Sequence, residues 1–183
     1  MPGLVSTLDQ THHSLVEEFW VELETDCGLK GINVTPLPHF SWQIAEDYEW
    51  DALDNALQEL TEATQPFMVH TTGLGLFTAE SPAVYIPIVR TKELSKFHEV
   101  IWDRLAPIST NTSLFYSPSF WMPHITLAYG DVVSEKLGCL MDKLAFRPIY
   151  WEIEIDNLTL IQEVDSTLEQ TQYLFKFVEK DSS

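Results

Sequence analysis

Residues 38–44 read Pro38-His39-Phe40-Ser41-Trp42-Gln43-Ile44, and residues 123–129 read Pro123-His124-Ile125-Thr126-Leu127-Ala128-Tyr129. In a β-strand, alternate side chains share a face. His39 and Ser41 therefore point one way, and Phe40, Trp42 and Ile44 point the other, toward a core. His124 and Thr126 share a face in the same manner, against Ile125, Leu127 and Tyr129. Each stretch predicts a strand that delivers one imidazole and one hydroxyl, side by side, to a polar face.

Working outward, both strands sit in the same local order. A helix, a proline, a strand carrying His and another helix occur over residues 11–63, and again over 91–144. Apolar residues Leu15, Val16, Phe19, Trp20, Leu23 and Cys27 form one stripe of a helix over 11–29, which Gly28 and Gly31 end. Pro36-Leu37-Pro38 is a stiff, extended entry to the first strand. A second helix spans 48–63 with Trp50, Leu53, Leu57 and Leu60. Strands are expected at 3–8, 67–77 and 83–89, with a turn over 78–82. Thr91 caps a third helix whose stripe is Leu94, Phe97, Val100, Ile101 and Leu105. An irregular segment covers 107–122, a fourth helix 133–144, and closing strands 150–163 and 173–178. Mixed helices and hairpin-like strands argue for an α+β fold with antiparallel sheets. No Gly/Ser or Pro-rich linker divides the chain, so residues 1–183 read as one domain.

Ten Lys+Arg against 28 Asp+Glu leave a formal charge of −18 on 183 residues. Residues 1–65 hold 13 acidic side chains and one base, Lys30. Those acids interleave with apolar residues at helical spacing, as solvated helix faces do. Such a chain lacks the cations that grip a long duplex by its phosphates, and it repels anionic membranes. No apolar run is long enough to span a bilayer. Met1–Gln10 holds no Lys or Arg ahead of an apolar stretch, which argues against a secretory signal. Two cysteines, Cys27 and Cys139, make neither a disulfide framework nor a zinc pattern. They are expected to be reduced in a cytoplasmic protein.

Two imidazoles and two hydroxyls suit chemistry at phosphorus, provided that the two words converge on one cleft. One His takes a proton from water and the other gives one to the departing oxygen, both feasible near neutral pH. Ser41 and Thr126 would hold the non-bridging phosphate oxygens. This chemistry needs no metal or other cofactor, and no carboxylate–His ligand spacing is present. Three other histidines compete. His12, before Ser14, opens a helix. His70, before Thr72, lies in a strand but has no proline entry and no matching partner. His98 lies in a helix, as a structural or solvent-facing residue. Tyr116 and Trp121, in the irregular segment, are candidates to stack a base, or to form a hydrophobic lid or a plug packed between the lobes. Trp42 has core parity. Arg90 and Lys92 could reach a phosphate, but read more simply as surface charge.

The paired words His39-Phe40-Ser41-Trp42 and His124-Ile125-Thr126-Leu127, 85 residues apart, resemble the signature of the two-histidine phosphoesterases. That superfamily includes the bacterial 2′-5′ RNA ligase-like proteins and the cyclic phosphodiesterases. Pro66-Phe67, Gly73-Leu74-Gly75-Leu76-Phe77 and the strand Val84–Val89 extend the resemblance over nearly the whole chain. It implies a bilobal, pseudo-twofold body in which two antiparallel sheets line a central cleft, with helices outside. It implies opening of 2′,3′-cyclic or similar phosphates, or making and breaking of 2′-5′ linkages. It leans toward His124 as the base and His39 as the acid, although the near-symmetry of the words does not itself choose. Ser41 stands where Thr is commoner, and should still donate. The acidity departs from what a binder of folded RNA would show. The expected substrate is therefore a small nucleotide or an RNA end, handled by a monomer. Two further readings use the same pocket: a non-catalytic nucleotide-binding module and a hydrolase of a non-nucleotide ester. A metal-dependent hydrolase is a weaker fourth.

Overall fold

A computed structural model describes residues 1–34, 37–164 and 169–178. Pro36, part of the expected proline entry, lies outside the described residues. The chain opens with β1 (Gly3–Thr7) and α1 (Gln10–Cys27), followed by β2 (His39–Ile44), β3 (Asp47–Tyr48) and α2 (Trp50–Glu62). Then come β4 (Phe67–His70), β5 (Gly75–Phe77), β6 (Ala83–Pro87), α3 (Lys92–Leu105) and β7 (Ser109–Thr110). The last third holds β8 (His124–Ala128), α4 (Ser134–Leu144), β9 (Glu152–Ile155), β10 (Asn157–Val164) and β11 (Glu169–Lys176).

The fold is α+β, and the strand pairings are antiparallel. One sheet runs β11-β10-β1-β2 and another β5-β6-β8. β4 pairs with β9, and a bridge from Thr71 to Ile88 ties that pair to the strand β6. The small pair β3–β7 anchors the irregular segment. The two lobes exchange helices. α1 leaves the first sheet and packs on β8 and α4, while α3 leaves the second sheet and packs on β2. β2 and β8, each the last strand of its sheet, therefore lie against one another. One buried apolar cluster runs through both lobes, from Leu4, Phe40 and Trp42 to Ile125, Leu127 and Ile153.

Several expectations change. The expected strand 67–77 breaks into β4 and β5, because Gly73 takes a φ of 97° that turns the chain. The expected strand 150–163 breaks at Asp156. β9 pairs with β4 and β10 with β1, so the chain passes between lobes at that point. The Asn157 side chain fixes the passage. Its Oδ1 accepts from the Thr7 N–H at 3.0 Å, and its Nδ2 donates to the Thr7 carbonyl at 3.1 Å. In α3 the buried stripe is Leu94, His98, Ile101 and Leu105, and Val100 is exposed. In α2, Trp50 lies outside the buried stripe. Thr91 caps α3 as expected, accepting from the Leu94 N–H at 3.1 Å. Tyr129 lies beyond the end of β8, where strand parity no longer applies, and is exposed.

The cysteines are the largest correction. Cys27 and Cys139 form a disulfide with a Cα–Cα distance of 5.7 Å. The pair is separated by 112 residues and joined by the packing of α1 on α4. Their expected reduced state came from cysteine number alone, which says nothing about a contact made across the whole chain. Among the described residues, no helix is long and apolar enough to cross a membrane.

Candidate active site

β2 and β8 present their words as parity requires. Phe40, Trp42, Ile125 and Leu127 are buried on the apolar faces, and His39, Ser41, His124 and Thr126 are half-buried on the others. Across the sheets, His39 lies opposite Thr7 and Ser41 opposite Val5, while His124 lies opposite Pro87 and Thr126 opposite Tyr85.

The two histidines are held alike. His39 donates from Nδ1 to the Leu37 carbonyl at 2.5 Å, and His124 donates from Nδ1 to the Met122 carbonyl at 2.6 Å. A carbonyl can only accept, so Nδ1 carries the proton in both rings. Each neutral ring keeps its lone pair on Nε2, the nitrogen left for proton transfer. The hydroxyl-bearing residues are also held alike. The Trp121 indole donates to the Ser41 carbonyl at 2.8 Å, and the Trp20 indole donates to the Thr126 carbonyl at 3.1 Å.

Burial pushes the pKa of His39 below the usual imidazole value. The Leu37 carbonyl opposes this, and the His124 charge adds to it. Burial likewise lowers His124, against the pull of the Met122 carbonyl. β2 and β8 lie against one another, and the effect of His124 on the His39 ring is in keeping with that nearness. His124 also rests on two aromatic rings, with centroids 4.9 Å from Phe77 and 5.0 Å from Tyr85. Gly75 makes room for this cradle, since a Cβ there would lie 2.3 Å from Tyr85 Cε2.

The other candidates separate cleanly. Trp121 is 1% exposed, so it offers no face to a base. It is a core ring, stacked on Trp42 at 5.2 Å and on His98 at 3.9 Å. Tyr116 ends a short helical turn, Leu114–Tyr116, that packs on β2. Burial raises the pKa of its phenol, and the influence of the Ser41 side chain opposes that rise. The open rings of that segment are Phe115 and Phe120. Arg90 binds protein rather than standing free: it donates to the Trp121 carbonyl at 3.1 Å and to the Pro118 carbonyl. Lys92 is exposed at the start of α3. His12 pairs with Asp9 at 2.7 Å, and His70 lies 3.8 Å from Glu152. His98 is fully buried, donates from Nε2 to the Trp42 carbonyl at 3.1 Å, and has its pKa pushed down to about 4 by burial.

Phe77, Tyr85 and Trp20 are thus parts of the site's frame that the linear pattern did not single out as such, and His98, expected as structural or solvent-facing, is structural and buried. The parity of Tyr85 relative to Thr126 could have found one of them, given the β6–β8 register. The others depend on helix packing. Among the described residues, no cluster of three His, Cys, Asp or Glu side chains is placed to hold a metal ion. A groove between α2 and β11, lined by Trp50, Leu57, Leu160, Tyr173 and Phe175, contains no histidine.

A family model described as the 2′-5′ RNA ligase superfamily matches residues 11–167. A Bacillus cereus strain B4264 protein, named "Putative phosphoesterase", is 23% identical over 122 residues, which cover 67% of this chain and 66% of that one. The chain therefore spans just under two thirds of that relative's length. A similarly named Bacillus mycoides strain KBAB4 protein is 22% identical over 134 residues, 72% of this chain and 73% of its own. The fold matches the crystal structure of TT0787 of Thermus thermophilus, with a TM-score of 0.67, 14% identity and coverage of 96% and 94%. A second structure, titled as a phosphoesterase, matches with a TM-score of 0.57, 11% identity and coverage of 97% and 98%.

Proposed function

Because the chain belongs to the 2′-5′ RNA ligase superfamily, we propose that it is a phosphoesterase. It opens 2′,3′-cyclic or related cyclic phosphates of nucleotides or RNA ends by two-histidine acid–base catalysis. The observation that carries the reading is the matched pair of imidazoles, each with Nδ1 bound to the carbonyl two residues upstream and Nε2 without a hydrogen-bond partner among the described residues.

In the proposed reaction, water attacks phosphorus as the base His removes its proton. The bond from phosphorus to one ring oxygen breaks. The other His protonates that oxygen, leaving a phosphomonoester beside a free hydroxyl. Attack by a nucleotide hydroxyl in place of water would instead form a phosphodiester, the ligase-type outcome. Ser41 and Thr126 donate to the non-bridging oxygens, where negative charge must be held. The groups in hand suffice for this reaction without a metal. The net charge of −18 favours a small nucleotide or a single-stranded end over a folded RNA.

Phosphorus NMR with a 2′,3′-cyclic nucleotide in EDTA tests the reading. A new monoester signal is expected, and His39→Ala or His124→Ala should erase it. Persistent turnover in either variant would reject the acid–base assignment. Saturable binding without turnover would leave a nucleotide-binding module. Turnover only of another cyclic ester would move the substrate class, and loss of activity in EDTA would implicate a metal.

A further inference from the structure

We propose that Trp20 and Trp121 are matched positioning residues, each fixing from behind the peptide that carries one of the two phosphate-binding hydroxyls. β2 and β8 are edge strands, and an edge leaves backbone groups without ladder partners. A carbonyl buried without a donor is costly, so an edge inside a protein must find one elsewhere. Here the donors are indoles. Trp121 Nε1–H reaches the Ser41 carbonyl at 2.8 Å, and Trp20 Nε1–H reaches the Thr126 carbonyl at 3.1 Å. These are the same backbone atom of the same position in each word.

Both clamps come from elements with little freedom. Trp20 is 8% exposed and lies in α1, which packs on β8. Trp121 is 1% exposed and packs against both Trp42 and His98, with its ring 7° from parallel to the His98 imidazole. His98 in turn donates to the Trp42 carbonyl at 3.1 Å, so α3 grips β2 at two successive residues, one directly and one through Trp121. Arg90 holds Trp121 from the outside, donating to its carbonyl and lying 5.9 Å over its ring. Neither indole nitrogen is left to touch a substrate. Their effect is to set where Ser41 Oγ and Thr126 Oγ1 stand. Positional error of about 1 Å at a reacting centre can cost as much as about 100-fold in rate.

This inference takes the roles of Ser41 and Thr126 from the proposed function, and its test separates the two. Trp121→Phe and Trp20→Phe remove the donor and keep an aromatic ring. In amide NMR spectra, Trp121→Phe is expected to shift Ser41 and its strand neighbours and to leave Thr126 in place, and Trp20→Phe the reverse. On a 2′,3′-cyclic nucleotide each variant should lose roughly 10-fold in kcat, with KM moved by less than about threefold and cooperative unfolding kept. In the wild-type chain, both indole N–H protons should exchange with solvent far more slowly than that of Trp50, whose residue is 40% exposed. Fast exchange at either indole would overturn the proposal even where a variant fails to fold. So would unchanged Ser41 or Thr126 amides, or wild-type kcat in a folded variant. If the wild-type chain turns over no cyclic nucleotide, the proposed reaction fails, and the amide shifts and indole exchange still decide on the clamps.

Discussion

At the scale of single residues, the site is defined by which nitrogen is free. The Leu37 and Met122 carbonyls take the Nδ1 protons of His39 and His124, and so dictate the tautomer of each neutral ring. Ser41→Ala or Thr126→Ala should lower kcat by roughly 10²–10³-fold, the range for losing one donor to a developing oxyanion. The chain should keep its unfolding temperature, since both side chains are only half-buried. The pH profile has a definite sign. Catalysis needs one imidazole neutral and the other charged, and both pKa values are lowered. The singly protonated pair is then most populated on the acid side of the ordinary histidine value. A plot of kcat/KM against pH should be a bell centred below about 6.5. Binding an anionic phosphate favours the charged form, so the kcat profile should lie at higher pH than that of kcat/KM. A flat profile from pH 5 to 9 would speak against the pair.

At the scale of elements, the site depends on two edge strands and what rests on them. β5 contributes an absence: Gly75 has no Cβ, and the Tyr85 ring occupies that space. Gly75→Ala should displace Tyr85, and with it the Phe77–Tyr85 cradle of His124. The expected cost is about 1–3 kcal/mol, the usual range for overpacking, together with a loss of rate. Gly75→Ala combined with Tyr85→Ala should be less destabilised than the two single effects summed, because the clash is gone. It should not regain the rate, because the cradle is gone too. Denaturant melts of the four proteins, paired with initial rates, measure both. Strict additivity would mean that the two positions do not compete for the same space. The elements also show where pattern reading works. The alternation in β2 and β8 was legible because a strand repeats every two residues and one face of each is buried. The α3 stripe was less so: Val100 is apolar and exposed, while His98 is polar and buried. The stack with Trp121 and the Nε2 hydrogen bond to the Trp42 carbonyl offset part of the imidazole's lost hydration, while its buried Nδ1 finds no hydrogen-bond partner among the described residues.

At the scale of the whole molecule, α1 and α3 each cross to the opposite sheet and lock the lobes together. The Cys27–Cys139 disulfide adds a covalent tie between α1 and α4. It closes a loop of 112 residues in sequence separation. Cys27→Ser combined with Cys139→Ser, or reduction, should therefore cost about 2–5 kcal/mol and lower Tm by roughly 5–20 °C. Scanning calorimetry with and without reductant checks this, and equal Tm values would mean that the tie contributes nothing to stability. Because the disulfide lies on the outer helices, its loss should leave kcat on a cyclic nucleotide close to the folded wild-type value.

The amino-acid sequence alone determined what strand and helix periodicity can carry. It was enough to identify the two His-x-Ser/Thr words, the face each side chain takes, the repeat of the local order and the α+β class. Periodicity is a property of neighbours along the chain, and those features need nothing else. Only the tertiary structure decided between the two readings of Trp121, as a packing plug in the core rather than a stacking surface. The same holds for the indoles that fill the edge carbonyls of Ser41 and Thr126, for Tyr85 in the space over Gly75, and for the disulfide of Cys27 with Cys139. Each of these is set by which surfaces the packed helices and sheets bring together, often across a hundred residues of chain, and no local pattern encodes such a meeting.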